Sequence, residues 1–204
     1  MVKFIKYYFA AQVNRVIACG PTFQDQPTYD PIRHLVKPGD CYPKLTHKTL
    51  QILLDRLEAG YRKAKATGTE PEKTLLFIDD MAGNSVLHGK RQGPFATLSC
   101  QVTHWNISLF VISQQPTCTD PNFRDNAENI IVYRDFGEMT YKWLKAAYTA
   151  LDSDSKLVNR VILYAWRGGR EDNTEMGQHF LFIHKPPRSD IQFFVDFGEK
   201  INVT

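Results

Sequence analysis

No stretch of this chain is apolar for long enough to cross a bilayer: the longest runs, such as 107–113, stop far short of the ~20 residues a membrane helix needs. Cysteine is scarce as well. The four present, Cys19, Cys41, Cys100 and Cys118, lie far apart with no C-x-x-C pair, which argues against a zinc ribbon or a disulfide scaffold. Reduced thiols in a cytosol-like compartment are expected. A secretory leader is not read at the N-terminus, because Lys6, Tyr7 and Tyr8 interrupt any apolar core and no cleavage site follows. Charge of one sign is nearly absent too: Lys plus Arg exceed Asp plus Glu by 25 − 22 = 3, a mildly basic balance that permits a nucleic-acid partner without requiring one. With 43% hydrophobic residues the chain is not of the disordered class, and its 204 residues suit one domain on a prior of roughly 100–200 per domain. It carries no internal repeat or low-complexity tract.

What is present is an alternation of helical and strand patterns. Residues 3–12 place Phe4, Tyr7, Tyr8 and Ala11 at helical spacing, so the chain begins as if inside a helix, with no cap before it. The apolar run Arg15–Cys19, closed by Gly20-Pro21, reads as a buried strand. Five prolines from Pro21 to Pro43 then predict a long loop over 22–44. Leu50, Leu53, Leu54, Leu57 and Tyr61 form the apolar stripe of an amphipathic helix over about 46–66, ending near Gly68. Thr74–Ile78 reads as a strand, Pro94 as the opening of a helix carrying Phe95, Leu98, Val102 and Trp105, and 107–113 as a third buried strand. Further on, 129–134 reads as a strand, 138–151 and 154–165 as helices, and 179–183 with 191–195 as the two arms of a hairpin. Fully apolar strands alternating with helices imply an α/β fold, a mainly parallel sheet with helices on both faces.

In such a sheet ligands bind at the carboxyl ends of the strands, which directs attention to the polar residues just past each apolar run. Gly20-Pro21-Thr22, Asp79-Asp80 and Gln114-Gln115 occupy those places. Four apolar residues followed by two carboxylates have the form of a Walker B strand. One acid helps hold Mg²⁺ and the next polarises the attacking water, and because successive residues point to opposite sides, the two can serve different atoms of one centre. The same pair can also simply terminate a strand or cap the next helix. An amide such as Gln114, which both donates and accepts, suits a sensor of the γ-phosphate.

Taken in succession, Leu75–Met81, then Thr103–Gln114, then Phe123–Asn126 and the strand 129–134 resemble the poxvirus-type genome-packaging ATPases of DNA viruses, within the FtsK-HerA class of P-loop NTPases. The resemblance covers roughly residues 1–135. It implies a RecA-like core in which Asp79 binds magnesium, Asp80 activates the hydrolytic water, Gln114 senses the γ-phosphate and Arg124 is a sensor or inter-subunit arginine finger. A surface arginine paired with Asp125 or Asp135 is the other reading of Arg124, and Arg91 is a weaker candidate of the same kind. The cofactors implied are Mg²⁺ and ATP. The implied partners are double-stranded DNA, further copies of the chain in a ring, and capsid proteins, without a membrane; the implied setting is the host cytoplasm, a virus factory or the virion.

The departure from that family is plain: no G-x-x-x-x-G-K-[ST] occurs among the 204 residues. The segment Gly83–Arg91 is superficially similar, but its glycines are one residue too far apart, Arg91 replaces the hydroxyl residue, and it follows Walker B. Since that loop's backbone N–H groups cradle the phosphates, nucleotide binding by this chain as written is expected to be poor. The helix-like start suggests a single P-loop NTPase-like domain over 1–204 whose first strand and phosphate loop are cut away. Two other functions stay open: a degenerate, non-catalytic P-loop-like protein that binds DNA or capsid, and a P-loop ATPase of replication or recombination. The six histidines show no metal-ligand spacing, Cys19 reads as core, and Ser113 lacks a nucleophile elbow. Arg160, Arg167, Arg170, Lys185 and Arg188 can touch DNA phosphates or form an ordinary solvated surface.

Overall fold

In the computed structural model, residues 12–79, 86–87, 93–113, 118–133, 138–147, 155–169, 179–186 and 190–202 are described. They form two compact units, with the division falling inside a short helix at 121–126.

The first unit is built on a parallel sheet of β1 (Arg15–Cys19), β2 (Val36–Tyr42), β3 (Thr74–Ile78) and β4 (Ile107–Val111), in the order β2-β1-β3-β4. β1, β3 and β4 share one register, with Arg15, Thr74 and Ile107 abreast at one end and Cys19, Ile78 and Val111 at the other. β1 and β3 are apolar at nearly every position because both of their faces are covered. Ile17, Cys19, Leu76, Ile78 and Ile107 pack on one side against the leucines of α2 (His47–Thr67) and Phe95 and Leu98 of α3 (Pro94–Gln101). On the other side Val16, Ala18, Leu75 and Phe77 meet Phe23, Tyr29 and Ile32. The α/β class and the parallel sheet expected from the sequence are therefore present. α2 begins at a capping box in which Thr46 and Thr49 exchange backbone and side-chain hydrogen bonds, and it stops at Gly68 with φ +68°.

The long loop expected over 22–44 is a correction: it holds a 3-10 turn at Pro27–Tyr29, a single helical turn α1 (Asp30–Arg33) and the edge strand β2. Prolines obscured β2, yet Pro38 is tolerated there because an edge strand leaves one side of its backbone unpaired. The pairing skips between Val16↔Val36 and Ala18↔Cys41, so Pro38-Gly39-Asp40 bulge from the ladder, with Gly39 at φ +85°.

The second unit holds the latter half of α4 (Pro121–Asn126), then β5 (Asn129–Tyr133), α5 (Glu138–Ala147), α6 (Ser155–Trp166), β6 (Phe180–His184), β7 (Gln192–Val195) and β8 (Glu199–Ile201). Its sheet is antiparallel throughout, ordered β5-β6-β7-β8. The expected hairpin is β6-β7. β5, which the sequence showed as a further strand without a stated neighbour, pairs with β6, because its short run of apolar residues does not reveal which neighbour it takes. Val132, Leu181, Ile183 and Phe193 of the sheet bury against Leu144 of α5 and Val161, Ile162 and Ala165 of α6. The expected N-terminal helix lies outside the described residues, as does the last part of the one expected over 138–151. Among the described residues no helix is long and apolar enough to cross a membrane.

Candidate nucleotide-hydrolysis site

The parallel ladder runs one residue beyond its strands. The Asp79 N–H donates to the Cys19 carbonyl at 2.9 Å, the Ile112 N–H to the Ile78 carbonyl at 2.9 Å, and the Gly20 N–H to the Tyr42 carbonyl at 3.0 Å. Gly20, Asp79 and Ile112 thus lie side by side at the carboxyl edge, where parallel sheets bind ligands. Gly20 is required by the closeness of this approach: a Cβ there would sit 2.8 Å from the Asp79 carbonyl oxygen, which belongs to rigid backbone.

The half-buried Asp79 carboxylate accepts a hydrogen bond from the Tyr29 hydroxyl. Strand alternation aims Asp79 to the same side as Leu75 and Phe77, and the covering segment brings Tyr29 to that side. The Tyr29 ring is buried, stacked on Phe23 at 5.1 Å between centroids and edge-on to Phe77 at 6.0 Å. Its hydroxyl is therefore held at the polar end of an apolar socket, where it orients the Asp79 carboxylate. A carboxylate so oriented suits a hard cation. Mg²⁺ commonly takes one or two protein carboxylates and completes its shell with water and phosphate oxygens. Among the described residues no group of three His, Cys, Asp or Glu side chains is gathered as a metal cluster.

Of the residues singled out from the sequence, Asp79 is brought together with Gly20. Asp80, Gln114 and Arg91 lie outside the described residues. Arg124 stands in the last turn of α4, in the second unit. Arg160 is exposed and Arg167 half-buried, the Lys185 ammonium donates to the Asp125 carbonyl at 2.8 Å, and Arg170 and Arg188 lie outside the described residues. Cys19 is core, as expected: burial, helped by neighbouring Cys41, pushes its thiol up to about 12, far from nucleophilic use. Tyr29 was not found by reading the sequence. The signal for it was a pair of aromatics, Phe23 and Tyr29, near the start of the stretch read as a loop.

A scan against protein-family models finds no match, and a comparison with curated proteins finds none either. Comparison with solved structures does find matches. The genome-packaging NTPase B204 of Sulfolobus turreted icosahedral virus 2, in complex with AMP, superposes with a TM-score of 0.59 at 14% identity, over 94% of this chain and 89% of that one. The fold is that of the B204 packaging NTPases. The DNA-packaging ATPase B204 from Sulfolobus turreted icosahedral virus agrees, with a TM-score of 0.56 at 14% identity over 96% of this chain and 91% of its own. B204 in complex with ATP-γS matches at 0.53 and 12% identity, with 94% and 89% covered. The B204 likeness takes in both units, including the antiparallel sheet for which the sequence resemblance was weakest.

Proposed function

We propose that this chain is the body of a magnesium-dependent ATPase that drives double-stranded DNA into a virion. The observation that carries the reading is Asp79, an oriented carboxylate at the carboxyl end of a central parallel strand, within a fold like that of the B204 packaging NTPases. Asp79 would help hold Mg²⁺, which would counter the charge on the nucleotide phosphates. Asp80 would activate water, Gln114 would sense the γ-phosphate, and Arg124 would stabilise transferring charge as a sensor or across a subunit boundary. A ring of such subunits, acting with capsid proteins in the host cytoplasm, a virus factory or the virion, follows from the same reading.

Because the 204 residues contain no G-x-x-x-x-G-K-[ST], we further propose that they form one NTPase-like domain whose first strand and phosphate loop are supplied upstream. The test is the Mg²⁺-ATPase activity of a chain extended along the upstream reading frame. Turnover that Asp80→Asn abolishes is expected. A stop codon just before Met1, or an extension without a phosphate loop and without turnover, would defeat the enzyme reading. The missing motif favours a second function, a non-catalytic DNA- or capsid-binding protein, and that result would leave it standing. DNA stimulation of the ATPase and a capsid gene next door would separate packaging from replication or recombination.

A further inference from the structure

The antiparallel sheet of the second unit has two unlike faces. Its inner face is covered by α5 and α6, while within this unit no described helix packs on the outer one. A solvent-facing sheet surface is ordinarily polar, yet this one is built of rings. Across the four strands one row reads Ile131, Phe182, Phe194 and Lys200, each opposite the next. Beside it stand Tyr133 and Phe180, and Phe197 reaches over from the β7-β8 turn. The rings are continuous: Tyr133 to Phe180 is 5.3 Å between centroids, Phe180 to Phe197 4.9 Å, Phe197 to Phe182 5.1 Å and Phe182 to Phe194 5.7 Å. Tyr133 and Phe197 are among the most exposed large apolar side chains described, at 44% and 46%. A connected patch of this kind marks a docking surface rather than scattered exposure.

Charge narrows the partner. Lys200 ends the aromatic row, exposed, and the opposite row ends in the polar edges of Asn129, His184 and Gln192. Asp196, a carboxylate close to Tyr133, is occupied: it pairs with the His179 ring at 2.8 Å and accepts from the Phe180 N–H at 2.9 Å. Asn129 Oδ1 and the His184 ring are bonded to each other at 2.8 Å, which leaves the Gln192 amide beside them; rings for flat apolar faces, a cation for phosphate and a side-chain amide for base edges are the combination that single-stranded nucleic acid uses. A duplex cannot use the rings, since its bases are already stacked on one another. We propose that the outer face of β5-β8 binds single-stranded nucleic acid, with unpaired bases on Phe182, Phe194 and Phe197 and the backbone passing Lys200. This does not depend on nucleotide hydrolysis.

The full chain is titrated against a fluorescein-labelled oligothymidylate, by anisotropy at low salt, with unlabelled duplex as competitor. Binding that duplex displaces poorly is expected. Phe197→Ala should weaken it about tenfold and Phe197→Tyr should leave it unchanged, because any ring provides the stacking face. Lys200→Gln should lower the salt dependence by about one phosphate contact. Phe197 lies in an exposed turn, and a melting temperature equal to the parent's separates lost contact from lost fold. Failure of the parent to bind, equal competition by duplex, or undiminished binding by folded Phe197→Ala would each overturn the proposal. So would sedimentation showing that Phe197→Ala splits a dimer while oligonucleotide binding persists, for then a second copy of the chain occupies this face.

Discussion

Asp79 owes its orientation to a hydroxyl contributed from 50 residues earlier in the chain, and the geometry around it is tight enough to predict single substitutions. Tyr29→Phe keeps the packed ring and removes only the donor. A loss of about 1 kcal/mol in urea unfolding is expected, the ordinary worth of one hydrogen bond. In an active, extended protein the same change should raise the Mg²⁺ concentration for half-maximal turnover by roughly 10–100-fold, as loss of an outer partner does at metal sites. An unchanged Mg²⁺ dependence would remove Tyr29 from the site. Gly20→Ala pushes a methyl against the Asp79 carbonyl and should cost about 1–3 kcal/mol, seen as a lower urea midpoint at constant slope. Asp40 tests the electrostatics at a distance from the candidate site. Burial alone would push its carboxyl up, but Arg15, bonded to both oxygens at 2.6 and 2.7 Å, and Arg56 at 2.9 Å hold it below the usual value. A depressed pKa in the fold means that this stability is present above the unfolded value of about 3.9 and is lost as pH falls through the folded one. Asp40→Asn should cost about 2 kcal/mol at neutral pH and flatten the acid limb of the stability curve below about pH 4. An acid limb identical to the parent's would show that other carboxylates set it.

Among the elements, what the sequence disclosed depended on how completely each is covered. β1 and β3 were legible to the residue, because a parallel strand buried on both faces must be an unbroken apolar run and Gly20 and Asp79 mark where the run ends. α2 was legible from its leucine stripe and from Gly68. Its capping box predicts that Thr46→Ala lowers stability by about 1 kcal/mol, and a melting temperature unmoved by that change would show the cap idle. β2 was hidden because an edge strand with a bulge accepts Pro38 and Gly39, and the sheet partner of β5 was hidden because four apolar residues fit a parallel neighbour as well as an antiparallel one. The site was legible only in part for a related reason. Asp79 and Gly20 are read from the strands that carry them, whereas Tyr29 comes from the polar segment that folds back over the sheet, a long-range contact with no local pattern.

For the molecule as a whole, the question is what completes the parallel sheet. β4 pairs with β3 along one edge, and no described strand pairs with its other edge, although Leu109 and Val111 pack into the core beside it. In the P-loop family that the motifs resemble, the strand leading into the phosphate loop lies beside the strand to which β4 corresponds. A strand added there would pair with the backbone groups of that edge, and it would cover an apolar margin prone to association. The two compact units each bury their own apolar cluster, so each has a separate source of stability. The 204-residue chain is accordingly expected to unfold in a broad or stepped transition and to aggregate on heating. The upstream-extended chain should unfold in one sharper step at higher temperature, with slowed amide exchange in β4. Differential scanning calorimetry and hydrogen exchange on the two chains decide the matter. A single sharp transition at high temperature for the 204 residues alone, with β4 amides already as protected as those of β3, would mean that the sheet needs no further strand, and the proposed upstream strand would lose its structural support.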